Sequence, residues 1–272
     1  MSVLAVTGAT GNVGGRVARL LAAAGVPQRL VVRDAGRAPS LPGATVVTST
    51  YGDGAAARRA LDGVDTLFMV SGAEAADRVD QHRTFIDAAA AAGVGRIVYL
   101  SFYGAAADST FTLARDHWVT EEHIRGTGLA HVFVRDNMYL DFFPYMVDGG
   151  VIRGPAGDGR VAAVAQDDIG AVVAAVLRSP GAHDGRTYSL TGPEALTLHE
   201  IAAALGPDVR YEPQTLAQAY ASRAKYGAPD WQVDAWVSTY TAIAAGELAG
   251  VTDTVERITG HRARTLAEVL QR

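Results

Sequence analysis

The residues best equipped for chemistry stand at the start of the chain: Thr7-Gly8-Ala9-Thr10-Gly11-Asn12-Val13-Gly14. The apolar run Val3 to Val6 precedes them and reads as a buried strand. A helical apolar pattern follows, with Val17, Leu20, Leu21 and Ala24. Strand, glycine turn and helix, in that order, form the first half of a nucleotide-binding βαβ unit. Gly8 permits a sharp exit from the strand with positive φ. Gly11 has no Cβ, so a pyrophosphate can approach its backbone, and Gly14 lets the helix lie close to the strand. The N–H groups of Asn12 and Val13 then face the anion, with the helix dipole adding attraction. The spacing is G-x-x-G-x-x-G rather than the G-x-G-x-x-G of ordinary dehydrogenases.

A second candidate lies at the end of the next strand, Arg29 to Val32. A carboxylate at this position suits a free 2′-hydroxyl of the adenosine ribose, and an arginine suits a 2′-phosphate. Arg33 comes first, Asp34 follows, and Arg37 lies one short loop away. The alternative is a solvated surface arginine.

The third candidate is a pair. His117 and Glu121 are one helical turn apart and share a face. A histidine can donate a proton near neutral pH, and it can equally be structural. Other chemistries fail for want of residues. The chain has no cysteine, hence no disulfide, thiolate metal site or cysteine nucleophile. Lys225 is the only lysine, and a Tyr-x-x-x-Lys dyad would need tyrosine at 221, where Ala221 stands. G-x-S-x-G, G-x-x-x-x-G-K-[ST] and H-E-x-x-H are absent, and the 7 histidines have no metal-ligand spacing.

The elements that must position these groups alternate regularly. Strands are predicted at Thr45–Thr48, Thr66–Val70, Ile97–Leu100 and Ala130–Val134. The helices between them run Ala55–Leu61 (N-cap Asp53), Asp77–Ala92 and Thr112–Arg125. Small residues Ser71-Gly72-Ala73 at the fourth strand end leave room for adenosine. Val79, His82, Ile86 and Ala89 share a helix face, with His82 read as a hydrogen-bonded packing residue. Beyond the sixth strand the pattern is mixed. An aromatic segment, Tyr139 to Tyr145, would place Tyr139, Phe142 and Phe143 on one face if helical. Glycine turns follow, then a helix Ile169–Leu177 started by Asp167 or Asp168, and a strand Thr187–Leu190. Capping boxes stand at Thr197 and Thr265. Trp231, Trp236 and Tyr240 read as small-lobe core. The expected fold is α/β, a Rossmann-type doubly wound parallel sheet with a smaller, mixed C-terminal substrate lobe. Residues 1–137 would form the nucleotide-binding domain and 138–272 the lobe, with about 160–190 returning to the sheet.

Composition suits that fold. The chain has 272 residues, 49% hydrophobic and 19% charged, with formal net charge −5. With no basic run, nucleic-acid binding is disfavoured. No apolar run reaches the roughly 20 residues that span a bilayer. The N-terminus enters a strand at once without a signal peptide, so a cytoplasmic protein is expected.

Taken together, these stretches resemble the NmrA-like atypical short-chain dehydrogenase/reductase family, and within it the NADPH-dependent quinone oxidoreductases. The resemblance is carried by Thr7 to Gly14, Val31-Val32-Arg33, Tyr51-Gly52-Asp53, Gln81-His82-Arg83, the helix from Asp116-His117 to Glu121, and Ala156-Gly157-Asp158-Gly159. It implies NADPH as cofactor, with no metal and no flavin. Gly8, Ala9, Thr10, Gly11, Asn12 and Val13 would bind pyrophosphate, and Arg33 the 2′-phosphate. Val70, Ser71, Gly72 and Glu74 would line the adenosine and ribose, and Ser101, Asn137, Met138 and Tyr139 would sit near the nicotinamide. Thr50 departs from the aspartate that relatives often place near the adenine.

The acceptor expected is a small quinone-like molecule, against Phe102, Tyr103, His117, Tyr139 and Phe142, with His117 or Tyr139 in the catalytic role. A hydride donor and a flat acceptor ask little more of a protein than orientation. The other reading is a non-catalytic NADP(H)-binding redox sensor of NmrA type, acting through a partner. The sequence leaves the physiological acceptor and the oligomeric state open, a homodimer being the assembly considered.

Overall fold

The computed structural model describes residues 3–271. Its first half alternates as the apolar runs require: β1 (Leu4–Thr7), α1 (Asn12–Ala23), β2 (Gln28–Val32), β3 (Ala44–Thr48), α2 (Gly54–Ala60), β4 (Thr66–Val70), α3 (Arg78–Ala91), β5 (Arg96–Phe102), α4 (Thr112–Gly126) and β6 (Ala130–Asp136). The later elements include β7 (Val151–Gly154), β8 (Arg160–Val161), α5 (Gln166–Arg178) and β9 (Thr187–Leu190).

Among the described residues, seven strands form one sheet in the order β3-β2-β1-β4-β5-β6-β9. β1 pairs in parallel with both β2 and β4, Val6 lying opposite Leu30 on one side and Phe68 on the other. The order reverses beside β1, the switch point outside which open α/β sheets bind ligands. Every residue of β1 is buried, as is most of β4, because helices cover both faces of a parallel sheet.

The chain falls into two compact units. The first comprises the chain through Ser101, then Asp116–Arg135 and Ile169–Tyr188. Its core gathers Leu67, Met69, Phe85, Ile86, Ile97, Tyr99 and Phe133, all almost inaccessible. Burial of a side chain of this size contributes about 1.5–3 kcal/mol. The second unit comprises Phe102–Arg115, Asp136–Asp168 and Ser189 onward. Its core includes Leu140, Phe143, Ile152, Leu198, Ile201, Tyr211 and Ile243.

The buried face of α3 carries His82, Ile86 and Ala89 as expected, together with Arg78 and Phe85, and Val79 is half-buried. Three local expectations need correction. α5 starts at Gln166, so Asp167 and Asp168 lie inside its first turn. Asp168 is fully buried and accepts instead from the Arg264 main-chain N–H, 2.7 Å away, and from its guanidinium. Tyr139, Phe142 and Phe143 do not share a helix face. Leu140–Met146 is 3₁₀, interrupted by Pro144, so Phe143 is buried while Phe142 is 51% and Tyr145 81% exposed. Trp231 and Trp236 are half-buried rather than core; the buried line of their helix, Asp230–Ala244, is Ala235, Val237, Ser238, Ala242 and Ile243.

Candidate functional site

The glycine turn closes at the C-terminal end of β1. Gly8 has φ +66°, and the Gly11 N–H donates to the Gly8 carbonyl at 2.9 Å. α1 then begins at Asn12 with no side chain capping it. The amides of Asn12 and Val13 open the first turn of a 12-residue helix, where the dipole favours an anion. Gly14 faces the turn so closely that a Cβ would lie 2.3 Å from the Gly8 oxygen. The loop therefore presents backbone donors that, among the described residues, no side chain caps, and a dinucleotide pyrophosphate fits that donor set.

Arg33 follows β2 directly and is exposed. Asp34, which could have competed as a ribose ligand, is spent locally: its carboxylate accepts from the Gly36 N–H at 2.9 Å and caps the turn Ala35–Arg37. The ends of β1 and β4 are tied together beneath the loop. The Tyr51 hydroxyl donates to the Val70 carbonyl at 2.5 Å and lies 2.7 Å from Thr7 Oγ1, which accepts from the Val70 N–H at 2.9 Å. Burial raises the Tyr51 phenol well above its ordinary range, against a smaller lowering by Thr7 and the Arg33 charge. Tyr51 thus acts as a neutral donor.

The loop after β4 has its own anchor. The Gly72 N–H donates to His82 Nε2 at 2.8 Å, and His82 Nδ1 lies 2.9 Å from Thr120 Oγ1. With Nε2 accepting, the proton sits on Nδ1 and is donated to Thr120. Burial, then the Arg78 charge, pushes His82 down to about 3. Arg78, itself buried, donates to His117 Nε2 at 2.9 Å, and His117 Nδ1 lies 3.0 Å from the Tyr99 hydroxyl. Burial and then Arg78 hold His117 well below the usual histidine range. A neutral imidazole that accepts from arginine at one nitrogen and faces tyrosine at the other is a poor proton donor to an acceptor molecule. Of the two expected roles of His117, acid or structural, this geometry favours the structural one.

Glu121 does not act with His117. It is fully buried, 2.6 Å from Arg135 and 3.2 Å from Arg125, and it accepts from the Ser101 hydroxyl at 2.6 Å. The Ser101 side chain is thereby turned into the protein, leaving its main chain as the part able to meet a ligand.

In the second unit the residues after β6 divide sharply. Asn137 is buried and engaged at both ends of its amide: the NH2 donates to the Leu248 carbonyl at 3.0 Å, and the oxygen accepts from the Met138 N–H at 2.8 Å. Like that of Ser101, its side chain is structural. Phe102, Tyr103 and Met138 are half-buried against this unit's core. Phe102 meets Phe111 edge-on at 4.9 Å. A Cβ on Gly250 would fall 2.2 Å from the Tyr103 hydroxyl, so that ring is tightly seated. Tyr139 is half-buried, and its hydroxyl donates to Asp136 Oδ2 at 2.8 Å. Asp136 is buried, and burial pushes its carboxyl up to about 8. Lys225 is exposed and paired with Asp148 at 3.1 Å. Among the described residues, no group of three or more His, Asp or Glu could hold a metal ion.

Sequence reading does not single out Tyr51, Arg78 or Asp136. Arg78 carried a signal, since it stands four residues before His82 and so shares its buried face. Asp136 carried a weaker one, a carboxylate at the end of an apolar strand. Tyr51 carried none beyond its place in a motif.

The model of the NmrA-like family matches residues 1–216. The chain belongs to the NmrA-like family. An NAD(P)H azoreductase of Xenophilus azovorans is 36% identical, over 98% of this chain and 96% of that protein. The crystal structure of the NADPH-dependent quinone oxidoreductase QOR2 of Escherichia coli, complexed with NADPH, superposes with a TM-score of 0.89 at 34% identity, over 98% of each chain. A triphenylmethane reductase of Citrobacter sp., complexed with NADP(H), gives 0.86 at 29% identity, over 98% of this chain and 99% of that one. These three are named for the reduction of azo compounds, quinones and triphenylmethanes.

Proposed function

We propose that the chain is an NADPH-dependent oxidoreductase that reduces a quinone or a similar planar, conjugated electrophile. The observation that carries this reading is the glycine-built cradle at the uncapped N-terminus of α1, with Arg33 presented at the neighbouring strand end. The full-length likeness to NAD(P)H-dependent reductases supports it. Gly8 to Val13 bind the pyrophosphate through main-chain N–H groups, and Arg33 pairs with the 2′-phosphate. Val70, Ser71, Gly72 and Glu74 line the adenosine side, on a loop that His82 holds in place. Ser101 and Asn137 contribute main-chain atoms near the nicotinamide, together with Met138 and Tyr139.

When bound, NADPH supplies the hydride. The protein orients a flat acceptor, and Tyr139 is the ring best suited to stack on it. The test is loss of NADPH absorbance when a simple quinone is added to the purified protein. Saturable quinone-dependent oxidation is expected, with NADPH preferred over NADH. A protein that binds NADPH tightly and oxidises it with no quinone, azo compound or dye would overturn the enzyme reading in favour of a cofactor-sensing regulator.

A further inference from the structure

We infer that the Tyr139 hydroxyl delivers the proton that quinone reduction requires, and that Asp136 is the positioning residue that holds and refills it. The inference rests on the acceptor reading proposed above. It takes the place of the Tyr-x-x-x-Lys arrangement that the lone Lys225 cannot supply.

Two buried carboxylates are treated oppositely in this fold. Glu121 is fully buried and surrounded by donors suited to an anion: Arg135, Arg125 and the Ser101 hydroxyl. Asp136 is 3% exposed, and the side chain on its carboxyl is the Tyr139 hydroxyl at 2.8 Å. A carboxyl taken out of water without a cation favours its neutral form. Burial raises Asp136 to about 8; the Tyr139 hydroxyl and its own N–H lower it by less. The segment packed beside it, Phe102-Tyr103, offers its carbonyl the Tyr103 main-chain N–H at 2.8 Å. Asp136 is also the last residue of β6, and ligands of open α/β sheets bind beyond such strand ends.

The proton balance follows. Below about pH 8 the Asp136 carboxyl carries a proton and can donate it to Tyr139 Oη, which turns the phenol proton outward. Two-electron reduction of a quinone adds one hydride and leaves one oxygen anionic. The Tyr139 O–H bond breaks as the new O–H bond forms on that oxygen, and the Asp136 proton passes to Tyr139. The carboxylate left behind is reprotonated by solvent, and the product is the hydroquinone.

The experiment uses two acceptors with different proton needs. A simple quinone needs hydride and a proton, whereas a cationic triphenylmethane dye is neutralised by hydride alone. Tyr139→Phe and Asp136→Asn should each lower quinone turnover by about 10²-fold, the scale of general acid catalysis. Dye reduction should fall far less than quinone reduction in both variants, because hydride alone neutralises the dye and Tyr139→Phe keeps the stacking ring. Wild-type quinone turnover should fall as pH rises through about 8, and Asp136→Asn should lose that limb. In the cofactor-free protein, the infrared difference between wild type and Asp136→Asn should show a protonated carboxyl at neutral pH that disappears through the same range. Equal loss on both acceptors, loss on neither, or an infrared spectrum with an ionised carboxyl at neutral pH would overturn the inference. If wild type reduces quinone but no dye, the pH profiles decide. If it reduces neither, the acceptor reading fails and this inference with it.

Discussion

Gly11→Val and Gly14→Ala separate the binding task of the loop from its packing task. A Cβ at Gly14 would lie 2.3 Å from the Gly8 oxygen, 2.5 Å from its carbon and 2.8 Å from the Thr7 oxygen. All three are backbone atoms of β1 and its turn, so the helix itself must move. Overpacking of this kind costs about 1–3 kcal/mol, occasionally more. In a protein of this size each kcal/mol lowers Tm by roughly 2–4 °C. Gly14→Ala should therefore show a clear loss in Tm without nucleotide, and weaker NADPH binding because the cradle is displaced. A Cβ at Gly11 meets only the Gly8 oxygen, at 3.4 Å, and its φ of −101° and ψ of −176° suit a β-branched residue. Valine there costs the fold about 1 kcal/mol as a poorer N-cap. Its methyls, however, occupy the approach to the Asn12 and Val13 amides. Gly11→Val should stay folded and bind NADPH at least 100-fold more weakly, about 2.7 kcal/mol. Thermal melts monitored by circular dichroism and NADPH fluorescence titrations read the two quantities separately. A folded Gly11→Val protein with wild-type affinity would refute the cradle, and an unchanged Tm in Gly14→Ala would refute the packing argument.

Three further outcomes are expected. Arg33→Ala should weaken NADPH binding ten-fold or more, about 1.4 kcal/mol, by removing charge-assisted bonds to a phosphate that NADH lacks; equal losses for both cofactors in calorimetry would contradict the assignment. Glu121→Gln should cost about 3 kcal/mol, the low end for a broken buried pair because Arg125 and Arg135 reach solvent, read as a fall in the denaturant midpoint. His82 and His117 are held neutral in the fold, below the ordinary value of 6.5. The unfolded chain therefore takes up protons first, and stability should be full above about pH 6.5 and fall as pH drops below it. His82→Gln should make that fall shallower in melts taken across the range, and an unchanged slope would count against the buried neutral histidine.

Much of the regular structure was legible because its signals are local. Buried parallel strands must be continuous apolar runs, and Val3–Val6, Thr66–Val70 and Ile97–Leu100 are such runs. Asp53, Thr197 and Thr265 cap the helices they precede, since a side-chain oxygen three residues before a free N–H is a short-range arrangement. His82 also behaves as its helix position suggested, buried and hydrogen-bonded. The aromatic segment was not legible: whether Leu140–Met146 winds as α or 3₁₀ depends on Pro144 and on where Phe143 finds its core.

By itself the sequence determined the alternation of strands and helices, the glycine turn between β1 and α1, the absence of cysteine chemistry and of the Tyr-x-x-x-Lys dyad, and the family. Each depends on residue identity and short spacing. Only the tertiary structure decided which polar side chains remain available. Ser101 and Asn137 read as ligands and are bound to Glu121 and Leu248; Asp34 read as a rival to Arg33 and is bound to Gly36. His117 read equally as an acid or as a structural residue, and it accepts from Arg78, 39 residues away in sequence. Asp136 drew no reading and proves to be a buried carboxyl that accepts from the Tyr139 hydroxyl. A side chain's charge and reach are set by the desolvation and partners that long-range packing imposes, and spacing along the chain carries no record of either.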